Sequence, residues 1–368
     1  MKITSVTVYR VPLTARETYY MSDGKTCATV DTAVVRVSTD AGITGWGEVC
    51  PIPHYLPAFA RGVAPVIAEL EPVLIAADPR GAEALIAACD AYLMDHRYAK
   101  SALDIAFWDI TAKAADMPLY RLLGGKRADS VPTYHSITCT DPERMAEIAK
   151  AAKADGITQF QVKVGADADW AMDVARIRAV REAVGGGYVV YADWNSGATV
   201  YDAIRVGHAV RGLDIMLEQP CETLDAIADV RRNTNLPMKI DEAAHDIESL
   251  LRAQELGCMD VVALKLSKFG GLSALRRARD LCTHFGTMMV IEDTWGSDIA
   301  TAAAVHLGVT VNPKLLLNVC DLSGYVTPHL ADDGPSRMNG RLAVGDAPGL
   351  GITVEEDRLG EPELSIGS

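Results

Sequence analysis

The sequence predicts an α/β chain built on a (β/α)8-type, TIM-like barrel, and three observations carry that reading. From residue 129 to 325 short apolar strands alternate with amphipathic helices, the rhythm of a parallel sheet. About eight strand–helix units fit into that stretch, the number that closes a barrel. Charged residues recur near the C-terminal ends of successive strands, one per unit: Lys163, Asp193, Glu218, Asp241, Lys265 and Asp293.

The flanking regions have a different texture. Residues 1–128 open with the strand patterns "ITSVTVYRV", "TAVVRVST" and, after a turn at Asp40-Ala41-Gly42, "GITGWGEV". Helices follow. In the clearest, Ser101 to Ala115, Leu103, Phe107, Ile110 and Ala114 recur at steps of three and four. Pro118 and the glycines at 124 and 125 close the region. Residues 326–368 are rich in Gly and Pro and are expected to pack back on the N-terminal region.

Composition narrows the function. With 368 residues, 49% of them hydrophobic, the chain supports a large core and is not a disordered type. It carries 49 acidic and 35 basic side chains, a formal net charge of -14, without a basic stripe. Nucleic acid and anionic membrane are therefore poor partners, and a small molecule is the better expectation. No apolar run is long enough for a signal peptide or a membrane span. The eight cysteines are scattered, with no Cys-x-x-Cys pair. That pattern suits reduced core thiols in a cytoplasmic protein.

The stretch "FQVKVG", Phe160 to Gly165, places a lysine in an apolar strand. Alternation puts Phe160, Val162 and Val164 on one face and Gln161 and Lys163 on the other. Taken singly, an acid ending a strand is usually a helix cap, and a strand lysine usually reaches solvent. Three acids on consecutive strands, flanked by a lysine on each side, are hard to obtain from caps. In a parallel barrel the strand ends share one rim, where catalytic groups sit. Three converging carboxylates repel one another unless a cation joins them. Oxygen ligands without His or Cys suit Mg2+, with Mn2+ as the alternative. Such an ion binds a substrate carboxylate and stabilises charge as the adjacent carbon loses a proton. A lysine beside a dication and a second lysine is expected to have a lowered pKa and to serve as the base. Lys163 and Lys265 would then approach the substrate from opposite faces.

At these residues the chain resembles the enolase superfamily, in its mandelate racemase and muconate-lactonizing branch, whose sites use a Lys or His base with Mg2+. The resemblance runs through "GWGE", "ALDIAFWDITAKAADMPLYRLLGG", "VKVG", "DWN", "LEQP", "IDEA", "LKLSKFGG" and "PGLGI". It implies a catalytic barrel over 129–325. An α+β capping domain would form from 1–128 and be completed by 326–368, with loops Thr18–Cys27 and Pro51–Pro57 closing over the substrate. Asp193, Glu218 and Asp241 would bind Mg2+, and Lys163 and Lys265 would be the acid/base pair. A homo-oligomer with an even number of subunits is also implied.

Two positions depart from the branch pattern. Gln161 stands where Lys-x-Lys has its first lysine, and Ala243 where Asp-Glu-Ser has its serine. The "QVK" variant and "DTWGSD" resemble enzymes of proline-derived amino acids. The implied activity is dehydration of cis-3-hydroxy-L-proline, with 2-epimerisation as a competing outcome. The alternatives are a proline betaine or 4-hydroxyproline betaine 2-epimerase, a dipeptide epimerase, a muconate-type cycloisomerase, or a barrel that binds a small acid without turnover. In betaine-type enzymes a tryptophan is expected near position 320, to stack on a quaternary ammonium. Here Cys320 is followed by Asp321, which as a substrate contact suits a protonated amine and otherwise reads as a cap. Tyr55 beside His54 on the lid loop, Tyr134 at the first barrel strand, Asp293 and Trp295 are the other candidate substrate contacts. Gln161, Asn195 and Glu242 are expected around the metal and lysines; Lys268 points elsewhere if its strand continues, or else sits in a loop near the site. Asp104 and Asp109 read as structural.

Overall fold

The protein is described by a computed structural model covering residues 1–54 and 57–367. Eight parallel strands form its central sheet: His135–Ile137, Gln159–Lys163, Val189–Asp193, Met216–Glu218, Met238–Ile240, Val261–Lys265, Met288–Glu292 and Leu316–Val319. Each pairs with the next in chain order. Among the described residues no ladder joins the first strand to the eighth. The sheet curls nonetheless. Gln159 on the second strand donates its amide to Leu317 O at 2.6 Å and accepts from Asn318 Nδ2 at 2.7 Å.

Alternation along each strand explains why these segments take this form. Phe160, Val162, Val190, Ala192, Leu217, Ile240, Val262 and Leu264 turn outward and bury themselves in the main core against the helices. Tyr191, Val261, Val290 and Leu317 turn inward and make a smaller cluster with Tyr134. The inward phase therefore also carries Gln161, Lys163, Asp193, Glu218, Lys239, Asp241, Lys265 and Glu292, which run up to the rim.

The N-terminal strands Ile3–Tyr20, Thr26–Thr39 and Thr44–Val49 are antiparallel. The tail returns as expected: Val326–Thr327 and Pro362–Gly367 both pair with the first strand. Helix Arg97–Ala114 begins before the expected Ser101 and lies across this sheet. The approach is so close that a Cβ at Gly47 would sit 1.8 Å from Ala102 O, and one at Gly45 2.3 Å from Ala106 O. Asp109 on this helix accepts N–H bonds from Trp46 at 3.0 Å and Leu350 at 2.8 Å. Asp104 accepts from Ser273 N–H at 2.8 Å. Both are structural, as read.

Glu48, the last residue of "GWGE", is buried at the junction with the barrel. Its carboxylate accepts from the Thr32 hydroxyl, from Ser297 N–H and Oγ–H, and from Ala300 N–H, each at 2.8–2.9 Å. It thus satisfies the open N-terminus of helix Asp298–Gly308.

The segment Thr18–Cys27 is a hairpin turn and not a loose loop. The first strand runs to Tyr20, and a short 3-10 turn spans Ser22–Gly24. Tyr20 N–H donates to Thr138 Oγ1 at 2.7 Å, and Tyr20 O accepts from Cys139 N–H at 3.0 Å. The turn is thereby fixed to the barrel. In the second expected lid segment, Ile52 packs with Tyr19, Met21 and Cys27, His54 is exposed, and Tyr55 lies outside the described residues. The eight cysteines are buried and free. Among the described residues no helix is long and apolar enough to cross a membrane.

Candidate active site

The rim gathers the inward-facing residues around one cavity. It is bordered by Gln161, Lys163, Asn195, Asp241, Lys265, Glu292, Asp293, Trp295 and Cys320, by Ser136, Tyr134 and Tyr325, and by Tyr19 and Met21 from the N-terminal sheet. Lys163 and Lys265 end the second and sixth strands of eight, so they face the cavity from well-separated parts of the ring.

Lys163 Nζ lies 2.5 Å from Asp193 Oδ2 and donates to Asn195 Oδ1 at 3.0 Å. Lys265 Nζ lies 2.7 Å from Asp241 Oδ2, and Lys268 Nζ 2.9 Å from Asp241 Oδ1. Gln161 supplies amide hydrogens to two acids, Asp193 Oδ2 at 3.0 Å and Glu218 Oε2 at 2.8 Å, and accepts from Ser136 Oγ–H at 2.7 Å. Where the family pattern has a lysine, a neutral amide bridges two acids. Asn195 donates to Glu242 Oε1 at 3.0 Å and so connects Glu242 to Lys163.

Sequence reasoning missed two residues. Lys239 is 0% exposed. Its Nζ lies 2.7 Å from Glu218 Oε1, paired by charge without hydrogen-bond alignment, and 4.5 Å from the centre of the Tyr191 ring. Glu292 ends the seventh strand and accepts from Tyr134 Oη–H at 2.9 Å. The signal was available: Lys239 lies two before Asp241, and Glu292 two after Val290, both in the inward phase.

One expected substrate contact is corrected. Asp321 does not border the cavity. Its side chain caps the turn at Gly324 N–H (3.1 Å), and both its oxygens are held by Arg337 at 2.6 and 2.7 Å, so the cap reading holds. Asp293 borders the cavity, but it falls one residue past the inward phase. It is committed to Ser267 N–H and hydroxyl and to Thr294 N–H at 2.7 Å.

The electrostatics are those of acids and ammonium groups in close balance. Burial and the neighbouring charges of Asp193 and Asp241 push the Glu218 carboxyl up to about 8, against the pull of Lys239. Asp241 is burdened by burial, yet Lys265, Lys268 and Lys239 hold it well below the usual carboxylate range. Burial and the charges of Asp241 and Asp193 push Glu242 up to about 7. For Lys265, burial alone would lower the pKa, but its carboxylate neighbours Asp241, Glu292 and Glu242 outweigh that and raise it.

Among the described residues no group of three or more His, Cys, Asp or Glu is gathered closely enough to hold an ion as it stands. Asp193, Glu218 and Asp241 are each turned instead to ammonium or amide partners. The donor set still fits a hard divalent cation. Asp193, Glu218 and Asp241 end or follow consecutive strands and offer only oxygen. The mutual repulsion that raises Glu218 is also what a dication relieves.

Comparison with known proteins places this architecture. Residues 3–124 match the mandelate racemase / muconate lactonizing enzyme N-terminal domain and residues 144–358 the enolase C-terminal domain-like family, so the chain belongs to the enolase superfamily and is an enzyme of that kind. It is 42% identical to a cis-3-hydroxy-L-proline dehydratase of Roseibium aggregatum, over 98% of this chain and 99% of that one. It is 30% identical to an N-succinyl-L-Arg/Lys racemase of Bacillus cereus, over 98% of each. A crystal structure of a mandelate racemase/muconate lactonizing enzyme from Roseovarius nubinhibens ISM superposes with a TM-score of 0.95 at 36% identity, covering 100% of this chain and 99% of that one. A member of the enolase superfamily from the same organism, solved in complex with magnesium, gives 0.94 at 34% identity with full coverage of both.

Proposed function

We propose that this chain is a Mg2+-dependent cis-3-hydroxy-L-proline dehydratase. The observation that carries the chemistry is the pair Lys163 and Lys265, bordering one cavity from the second and sixth strands. The similarity to a dehydratase of that substrate supports the choice of ligand.

Asp193, Glu218 and Asp241 are the residues that would hold Mg2+. When bound, the ion supplies a Lewis acid for the substrate carboxylate. In cis-3-hydroxy-L-proline the 3-hydroxyl shares a ring face with the carboxylate, and the α-hydrogen lies on the other. Hydrogen and hydroxyl are anti. By family resemblance Lys163 takes the α-proton, and Lys265 gives a proton to the departing hydroxyl. The C–H and C–O bonds break, water leaves and a C2=C3 double bond forms. The enamine then tautomerises to Δ1-pyrroline-2-carboxylate. If Lys265 protonates Cα instead, the 2-epimer results. Glu292, with one oxygen on Tyr134, takes over the role expected of Asp321 and receives the ring ammonium. Asn195 orients Lys163, and Gln161 separates two of the acids.

One observation favours a second reading. Tyr19, Trp295 and Tyr325 pack at centroid distances of 5.5–6.0 Å beside the cavity, a wall suited to the N-methyl groups of a proline betaine. Incubation with Mg2+ and a panel of proline derivatives in D2O separates the two. An imine signal from cis-3-hydroxy-L-proline is expected. Deuterium at Cα of a betaine, without loss of water from the hydroxyproline, would establish the epimerase in its place. Replacing Mg2+ by Mn2+ in the same assay tests the choice of metal.

A further inference from the structure

The end of the strand carrying Lys163 is tied to its neighbour by a carboxylate outside the cavity. Asp173 lies in the first turn of helix Trp170–Val184 and is 3% exposed. Its Oδ1 accepts from Gly165 N–H at 2.9 Å, two residues beyond Lys163. Its Oδ2 accepts from Trp194 Nε1–H at 3.1 Å. Trp194 is 1% exposed and stands between Asp193 and Asn195, both of which contact Lys163 Nζ. Gly165 has φ +79°, and a Cβ there would meet Trp194 Cδ1 at 3.0 Å, so the chain passes directly over the indole. Arg176 joins from behind, 3.4 Å from Asp173 Oδ1, and donates to Thr140 O at 2.7 Å.

We propose that Asp173 is a positioning residue for Lys163: through Gly165 and Trp194 it locks the ends of the second and third strands together, and so fixes the lysine against Asp193 and Asn195. The lock acts on one side of the ring. Lys265 donates to Asp241, just past the end of the fifth strand, on another part of the ring. A loosened brace therefore impairs one of the two acid/base groups and spares the other. Misplacement by about 1 Å can cost on the order of a hundredfold in rate.

This rests on the reading of Lys163 and Lys265 as the acid/base pair, and the test separates the two ideas. Deuterium incorporation at Cα is followed in D2O with Mg2+, for cis-3-hydroxy-L-proline and its 2-epimer. Lys163→Ala identifies which stereoisomer is deprotonated from the Lys163 face. Asp173→Asn keeps the shape and disrupts one of the two N–H contacts. It should slow exchange on that face by roughly tenfold or more while leaving the other within about twofold. Trp194→Phe removes the same bond from its other end and should show the same bias, which keeps the test decisive if Asp173→Asn folds poorly. Equal slowing of both faces, or loss of the folded state in both variants, would overturn the positioning role while leaving the lysine pair intact. Absence of exchange on either face in the unaltered enzyme would overturn the lysine pair, and this role with it.

Discussion

Lys239 shows how far a single residue's environment can depart from its residue type. It is a fully buried ammonium whose charge is met by Glu218 and by the face of Tyr191. Removing one member of a buried pair leaves the other uncompensated, at a cost of about 3–5 kcal/mol. Lys239→Met should lower the thermal midpoint of chelator-treated protein accordingly, and saturating Mg2+ should restore part of it by neutralising Glu218. An unchanged midpoint without metal would show the pair to be energetically idle. Single residues were legible in the sequence where alternation was applied strictly. It placed Gln161 and Lys163 on the inner face and Phe160, Val162 and Val164 in the outer core. The same alternation reaches Glu292, two after Val290, whereas Asp293 falls one residue past the strand and out of that phase. Asp321 was illegible for a different reason: Arg337, which takes it up, comes from a distant segment with no pattern of its own.

Elements are joined here by buried polar side chains that the sequence marks only as motifs. Glu48 caps the helix Asp298–Gly308 across the junction. Glu48→Ala strips partners from two backbone N–H groups and two hydroxyls, and should cost about 2–5 kcal/mol in urea unfolding. His306 joins three segments on the same helix. Its Nδ1 accepts from Tyr120 N–H at 3.1 Å, which places the proton on Nε2, 3.0 Å from Leu350 O. Burial lowers its pKa from 6.5 to about 4. The folded state therefore resists a proton that the unfolded state accepts. This contribution is complete above pH 6.5 and fades as pH falls to about 4, amounting to roughly 3 kcal/mol for a displacement of that size. His306→Gln should flatten the acid side of a midpoint-versus-pH curve in that window. An equally steep curve would assign the acid sensitivity to other groups. The two glycines of "GWGE" admit helix backbone where no Cβ fits, a constraint that the motif alone does not state. The Glu48 partners Ser297 and Ala300 lie some 250 positions away and leave no local pattern beside it.

For the molecule as a whole, the rim works only when both parts of the chain are in place, since Tyr19 and Met21 of the N-terminal sheet border the same cavity as Lys163 and Lys265. The strand–helix rhythm revealed the barrel and its order, because every unit repeats the same burial pattern. The bonding of the Thr18–Cys27 turn to Thr138 and Cys139 joins segments far apart in sequence and left no trace there. Chelation should abolish turnover. Adding Mg2+ back should raise the thermal midpoint as its concentration rises, through a stabilisation of about 2.7 kcal/mol at a hundredfold excess over Kd. Asp193→Asn should weaken that dependence. A midpoint indifferent to Mg2+ in the unaltered chain would contradict the proposed ligands.

The ammonium groups seated on Asp193 and Asp241 have one more consequence. The protein carries its own tethered counter-ions there, and a dication held by the proposed ligands would have to exchange with them before settling. Binding is then a substitution, and the affinity measured for the bare protein is a difference between two occupants. Enzymes that differ only in how firmly those tethers hold would rank differently for the same ion, even with identical ligands.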